Sequence, residues 1–438
     1  MINAARRAAA QEEWAGVADE TTEGWLRHLP PPLRVRDFAL FSVANVASNF
    51  AMNMAQVTIG WQVFAIRHSY FDLGLIGLAA FLPLPLLALP AGQLADRLSR
   101  RLIFVASNVL DALVLLGLVG VALAGAHALW PFLALAVATG VATVLGAPAA
   151  RAMSPTLVPE ELVASAMTLR STTFQFAVVT GPAVGGLIFA LDHSGVLVYA
   201  LAAGLSLAAA FVAAAIREPV AVASVTPAPG LEHLLAGLKF VRRTEVLLGA
   251  ISLDLFAVLF GGAVALLPAF AIDVLHVGRF QLGLLRAAPA VGAVLAGVWL
   301  ARSPLKRREG RTLLIAVGAF GVSMVVFGIS HSYALSMVAL AVSGFTDMIS
   351  MSVRGTTVAM ATPDELRGRV NAVEMVFISA SNELGAFESG AAAALLGAAP
   401  AVIAGGVATI GIALVWKWVF PALANVDGLV RLRPARVP

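Results

Sequence analysis

Cysteine is absent from the 438 residues, so the chain can form neither a disulfide nor a thiolate metal site. Charge is scarce as well: 12% of residues are Asp, Glu, Lys or Arg, against 60% hydrophobic. A soluble chain of this length would divide into two or three domains with polar surfaces, and there is too little polar sequence here to make them. No GxxxxGK[ST] stretch occurs and no soluble segment is present to carry one, which argues against nucleotide-driven chemistry. The seven histidines are scattered without metal-ligand spacing, and nothing resembles the nucleophile or metal cluster of a membrane enzyme. No cofactor is expected. Nothing alternates with period two at the length of a barrel strand, so helices are the only way this chain can cross a bilayer.

What is present is a series of long apolar runs. A membrane helix needs about 20 mostly apolar residues to cross about 30 Å of hydrocarbon. Twelve such runs are found, at 38–65, 71–91, 102–124, 130–150, 166–190, 194–216, 245–272, 281–301, 312–330, 333–353, 368–396 and 399–420. The expected fold class is therefore all-α integral membrane, with a first bundle over 37–216, a linker over 217–244 and a second bundle over 245–420. Residues 1–36 carry acids throughout, lack the apolar segment of a signal peptide and end in Pro30-Pro31-Pro32; they read as a cytoplasmic tail, as do 421–438. Lys and Arg fall in alternate loops: Arg97, Arg100 and Arg101, then Arg217, Lys239, Arg242 and Arg243, then Arg302 to Arg311. Arg151, Arg354, Arg367 and Arg369 are assigned to the same side, whereas only Arg67, Arg279 and Arg286 lie toward the other. Positive charge concentrates on cytoplasmic loops, so both termini are expected inside, in a bacterial inner membrane. The net charge of +4 is this bias and gives no support to nucleic-acid binding.

The two halves echo each other. "VPEELVASAM" from Val158 recurs as "TPDELRGRVN" from Thr362, 204 residues later, and the same shift carries "GPAVGG" (Gly181–Gly186) onto "GAFESG" (Gly385–Gly390). "GQLADR" from Gly92 is echoed by "GVWLAR" from Gly297, with Ala301 in place of the aspartate. Repeats of this size imply two six-helix bundles side by side, the arrangement that alternating access requires. In the linker between them, Leu231 to Arg243 reads as an amphipathic helix on the inner membrane surface.

At these residues the chain resembles the major facilitator superfamily. "GQLADRLSRR" is similar to its loop between helices 2 and 3, with Gly92, Asp96, Arg97 and Arg101 at matching positions. "GPAVGG" is similar to the Gly-Pro motif of exporters, although Ala177 replaces that motif's upstream glycine. "LDLFAVLFGGAVALLPAFA", "GLLRAAPAVGAV", "TPDELRGRVNAV" and "ELGAFESGAAAALLG" resemble the branch that contains the enterobactin exporter and related bacterial exporters. The resemblance spans Arg36 to Leu429 and implies a proton-driven exporter, a monomer, whose partners are the lipid bilayer, protons and a small amphiphilic cargo, siderophore or drug-like. A lipid or lysolipid translocator on the same fold is the alternative. Span 4 departs from the proton antiporters in carrying no arginine within "ALAVATGVATVLGAPAA".

The resemblance implies that Gly92, Asp96, Arg97 and Arg101 form a cytoplasmic gate latching the bundles; an ordinary positively charged loop is the plainer reading. Gly181, Pro182, Gly185 and Gly186 remove a backbone bond and allow close helix approach, either at a seam between bundles or in generic packing. An ionisable residue in an apolar run costs about 2.5–3.5 kcal/mol on insertion scales, so each is a candidate site. Asp254 in span 7 and Asp347 in span 10 are the candidates for proton or cargo binding, with interhelical hydrogen bonding as the alternative. Asp111 in span 3 is a weaker one. Glu383 and Glu388 are five residues apart, about 140° around a helix, so only one can face a given direction. Asn45, Asn49, Asn53 and Gln56 recur along one face of span 1 and are candidates for lining a cavity, or for joining helices. Trp61, with Phe256 and Phe260 of span 7, would add an aromatic wall.

Overall fold

The computed structural model describes residues 29–87, 98–125, 128–217, 231–303 and 308–427. Among the described residues no strand occurs, and twelve helices build the two bundles. They are α1 (Arg36–Arg67), α2 (Tyr70–Phe81), α3 (Arg100–Leu123), α4 (Trp130–Met153), α5 (Val163–Asp192) and α6 (Val196–Ala214). The second six are α7 (Glu245–Gly261), α8 (Arg279–Arg302), α9 (Glu309–Ile329), α10 (Tyr333–Ala361), α11 (Asp364–Leu396) and α12 (Ala398–Val419). Ten meet the length and apolarity needed to cross a membrane, α2 doing so as Tyr70–Leu87; α1 and α11, which carry the asparagines and glutamates, are long enough but more polar. Among the described residues many large apolar side chains point outward, Phe211 and Leu395 among them, as a lipid-facing surface demands. Trp130 (71% exposed) and Trp418 (79% exposed) belt the two ends.

Each bundle closes on itself: α1 packs on α5 and α6, α3 on α4 and α6, while α7 packs on α11 and α12, and α9 on α10 and α12. The internal repeat is visible in small devices. Asp37 Oδ1 accepts from the backbone N–H of Arg217 at 3.0 Å, tying the start of α1 to the end of α6. Glu245 Oε1 accepts from the N–H of Ala422 at 3.3 Å, doing the same for α7 and α12. The α1–α2 turn passes through His68 at φ 48°, and the turn before α8 through His276 at φ 50°. Histidine is among the residues that tolerate this left-handed region. Pro159 and Pro363 stand in matching extended conformations before α5 and α11.

Two helices depart from the expected spans. The apolar run 245–272 is not one helix: α7 ends at Gly261 with Gly262 as its cap, and a 3₁₀ turn (Ala263–Leu266), a short turn through Pro268 and a π-turn (Phe270–Val274) follow. Two adjacent glycines and a proline without an N–H explain the interruption. In contrast α10 runs past 353 to Ala361, which carries Arg354 inside the helix instead of a loop. The linker helix Leu231–Arg243 buries Phe240 and Val241 in a cluster with Leu366 and Val370 of α11.

Candidate functional site

The bundles meet along two seams, α5 with α8 and α2 with α11. Both are glycine on glycine. A Cβ on Gly186 would lie 2.8 Å from Gly283 Cα, and one on Gly390 would lie 2.7 Å from Gly74 Cα. Gly186 and Gly390 are the positions that the internal repeat equates, so the seams are related by the pseudo-two-fold axis. Within the same motif Gly181 and Gly185 face α1 of their own bundle, against Asn53 and Met54. Pro182 is buried in an otherwise continuous α5.

Both seams lie in the halves remote from the basic loops, and other contacts close the same end. Tyr70 Oη donates to Asp273 Oδ2 at 2.9 Å. The Arg279 guanidinium stands 5.5 Å from the Trp61 ring centre and 4.8 Å from that of Phe189, so α8 is held by cation–π contacts to α1 and α5. Trp61 is therefore part of this seal. Just beneath it, Arg286 Nη2 donates to Gln56 Oε1 at 2.6 Å, again from one bundle to the other.

Toward the basic end α5 turns a polar face outward, with Ser165, Thr168, Ser171 and Thr172 exposed. Thr143 on α4, Thr356 on α10 and Asn382 on α11 are exposed as well. A polar helix face cannot border lipid economically, so these residues border a cleft between the bundles. Arg151 reaches across it, with Nη1 3.2 Å from Met375 Sδ of α11. Exposed polar side chains thus gather toward the basic end, while the two bundles are joined at the other.

Deep in the second bundle Arg354 is 4% exposed and Asp254 7% exposed, and the two form an ion pair. Arg354 Nε also stands 3.3 Å from Glu374 Oε1 of α11, close enough for an ion pair though outside hydrogen-bond geometry. One guanidinium thus joins α7, α10 and α11. Sequence reasoning assigned Arg354 to a loop because the span was closed at 353; the helix carries it onward, and the desolvated cation requires carboxylates. Glu374 was not singled out, and its signal was a carboxylate in an apolar stretch of span 11. Asp254 and Asp347 come together: with Ala257, Val258, Val317, Phe320 and Ser350 they line a cavity of about 10 Å³, room for one water-sized sphere.

Phe256 stacks on Phe260 at 6.4 Å and meets the edge of Trp416 of α12 at 5.5 Å. Phe256 is two residues, about 200°, from Asp254, so the two side chains leave α7 on opposite sides. Asn49 donates to the Asn45 carbonyl at 2.6 Å and Asn53 to that of Asn49 at 2.9 Å, which spends these donors on their own helix. Asn45 is buried, and Gln56 is exposed. Of the two helix-11 glutamates, Glu383 lies at the α2–α11 interface, its Oε2 3.6 Å from where a Gly77 Cβ would stand, and Glu388 is half-buried further along. Asp111 on α3 is half-buried. Arg101 donates to the Ile216 carbonyl at 2.9 Å, a contact inside the first bundle. Gly92, Asp96 and Arg97 lie outside the described residues. No group of three or more metal-ligating side chains occurs among the described residues.

The chain is similar in sequence to the enterobactin exporter of Citrobacter koseri, at 26% identity over 80% of this chain and 83% of that one. The enterobactin exporter of Shigella dysenteriae serotype 1 gives 25% identity over the same shares. In structure it resembles a bacterial homolog of the human lysosomal transporter Spinster in an inward-facing conformation, with TM-score 0.72 and 14% identity, covering 93% of this chain and 100% of that one. The inward-open xylose transporter of E. coli matches with TM-score 0.65 and 13% identity, over 90% and 98% of the two chains. These likenesses establish the fold of two six-helix bundles, in a multi-pass inner-membrane protein. The family model described as transmembrane secretion effector matches residues 29–432, and the chain belongs to that family of the major facilitator superfamily.

Proposed function

We propose that this chain is a secondary active exporter of small amphiphilic organic molecules, siderophore or drug-like, coupled to protons and working by alternating access. The carrying observation is the exposed polar helix faces toward the basic end together with two pseudo-symmetric glycine seams at the other, which we read as a cleft open to the basic side. Rocking about such seams exposes one site to each side in turn. Its orientation follows the basic loops, with both termini in the cytoplasm and the cleft open to that side, ready to load cargo from the cell. The named activity of the similar enterobactin exporters supports export and a polyfunctional organic cargo. It acts as a monomer.

Coupling is placed in the second bundle. Around Arg354 stand two carboxylates, Asp254 and Glu374, and Asp347 faces Asp254 across the small cavity. One cation leaves two of three carboxylates uncompensated, so this cluster is where a proton would be taken up, and a proton that comes and goes with the conformation is a coupling ion. The test uses purified protein in liposomes enclosing a pH-sensitive dye, with an imposed proton gradient and a panel of amphiphilic drugs and siderophores. Cargo-dependent proton flux is expected in the wild type and is lost in Asp254→Asn or Asp347→Asn. Cargo movement driven by the gradient in both variants would remove coupling from this cluster.

A further inference from the structure

Three arginines border the cleft without a carboxylate paired to them. Arg151 on α4 and Arg170 on α5 lie near enough for like-charge repulsion to act between them. Neither takes part in an ion pair among the described residues, and Arg170 Nε is buried with no hydrogen-bond partner. Arg286 sits further in, seven residues along α8 from Arg279, or about 10 Å below the seal. Its neighbours are a neutral amide, Gln56, and Glu383, which lies within Coulombic range without closing an ion pair. These sites offer cationic hydrogen-bond donors, and two carboxylates of the second bundle, Asp254 and Glu374, are engaged with Arg354.

A desolvated guanidinium is costly unless it meets acceptors, and its planar fork suits paired oxygens. Arg170 Nε, buried and unpartnered, is a donor that an incoming acceptor can satisfy. Arg286 has a further property: its bond to Gln56 spans the two bundles, so cargo that competes for its donors would loosen a closing contact at the sealed end.

We propose that the cleft selects cargo bearing anionic oxygen groups, carboxylates or ionised phenols, and that Arg286 is the residue that receives such a group at the head of the cleft. The inference rests on the transport reading and adds to it a charge class for the cargo and a receptor residue. Arg151 and Arg170 attract the same class at the entrance. Cationic amphiphiles are disfavoured because they meet like charge along the cleft.

Two dyes built on one xanthene skeleton test this. Fluorescein carries a carboxylate and an ionised phenol, whereas rhodamine 6G is a cation. Fluorescence anisotropy of each is titrated with purified full-length protein in neutral-detergent micelles, for the wild type, Arg286→Gln, Arg286→Lys and Gln56→Ala. Wild type is expected to bind fluorescein more tightly than rhodamine 6G. Arg286→Gln should weaken fluorescein about tenfold or more, the loss of one charge-assisted bond, with rhodamine 6G unchanged or tighter. Arg286→Lys should fall between, since it keeps the charge and loses the fork. Gln56→Ala separates receptor from latch: a receptor keeps fluorescein affinity when its amide partner goes, whereas a latch loses it as in Arg286→Gln. Fluorescein binding indifferent to Arg286, or equally weakened by both variants, overturns the assignment while leaving transport standing. Preference for rhodamine 6G overturns the charge class. Failure of the wild type to bind either dye counts against the assignment and the cargo cleft together.

Discussion

Arg354 is the residue on which the second bundle depends most directly. It joins three helices through Asp254 and Glu374, and it is nearly removed from solvent. Replacing it by methionine leaves two carboxylates without their cation, and removing one partner of a buried pair costs about 3 kcal/mol or more. The apparent melting temperature of Arg354→Met in detergent, followed by tryptophan fluorescence, should therefore fall. The double variant Arg354→Met/Asp254→Asn should recover part of the loss, because one uncompensated charge has gone with its partner. Equal melting of the single and double variants would show that the pair does not couple. Asp254 and Asp347 were legible in the sequence as charges inside apolar runs. Arg354 was not, because an arginine at the edge of a hydrophobic stretch satisfies the rule for a cytoplasmic loop equally well. What decides between the readings is a carboxylate one hundred residues earlier, and no local pattern reports that contact.

Helices were legible to the extent that apolarity alone defines them. The twelve runs follow from hydropathy, whereas the break after Gly262 and the extension of α10 to Ala361 depend on local backbone chemistry and on neighbours. The motif on α5 shows the same limit. Its glycines announce close approach but not the partner, and the structure divides them: Gly181 and Gly185 serve α1, and Gly186 serves the seam to α8. A side chain at Gly186 meets Gly283 backbone on a helix of the other bundle, which cannot give way as a flexible side chain can. Gly186→Val should therefore force α5 and α8 apart at the closed end. Since the chain has no cysteine, spin labels can be placed without background at Leu191 and Leu395, both well exposed, near the ends of α5 and α11. The separation measured between them should lengthen in Gly186→Val. An unchanged distance distribution would mean that α5 and α8 absorb the added volume within their own bundles.

At the scale of the whole molecule, two bundles touch along lines that the internal repeat relates, and motion is expected to be a rotation about those lines. The closed end is held by weak contacts of several kinds: two glycine seams, the Tyr70–Asp273 hydrogen bond, the Arg279 cation–π contacts and the Arg286–Gln56 bond. Contacts of this sort suit an interface that must open on every cycle, since each can be exchanged for water or cargo at modest cost. Fastening the end covalently should then stop transport without unfolding either bundle. Gly77 on α2 and Ala386 on α11 offer the place: a Cβ at 77 would stand 2.9 Å from that of Ala386, and a disulfide needs about 3.5–4.5 Å between Cβ atoms, within reach of a small outward shift. Oxidised Gly77→Cys/Ala386→Cys should bind cargo from the basic side yet carry none across liposome membranes, and a reductant should restore transport. Each single cysteine should transport under both conditions. If the oxidised double variant still carried cargo, the closed end would not open during the cycle, and rocking of the bundles would have to give way to movement within one of them.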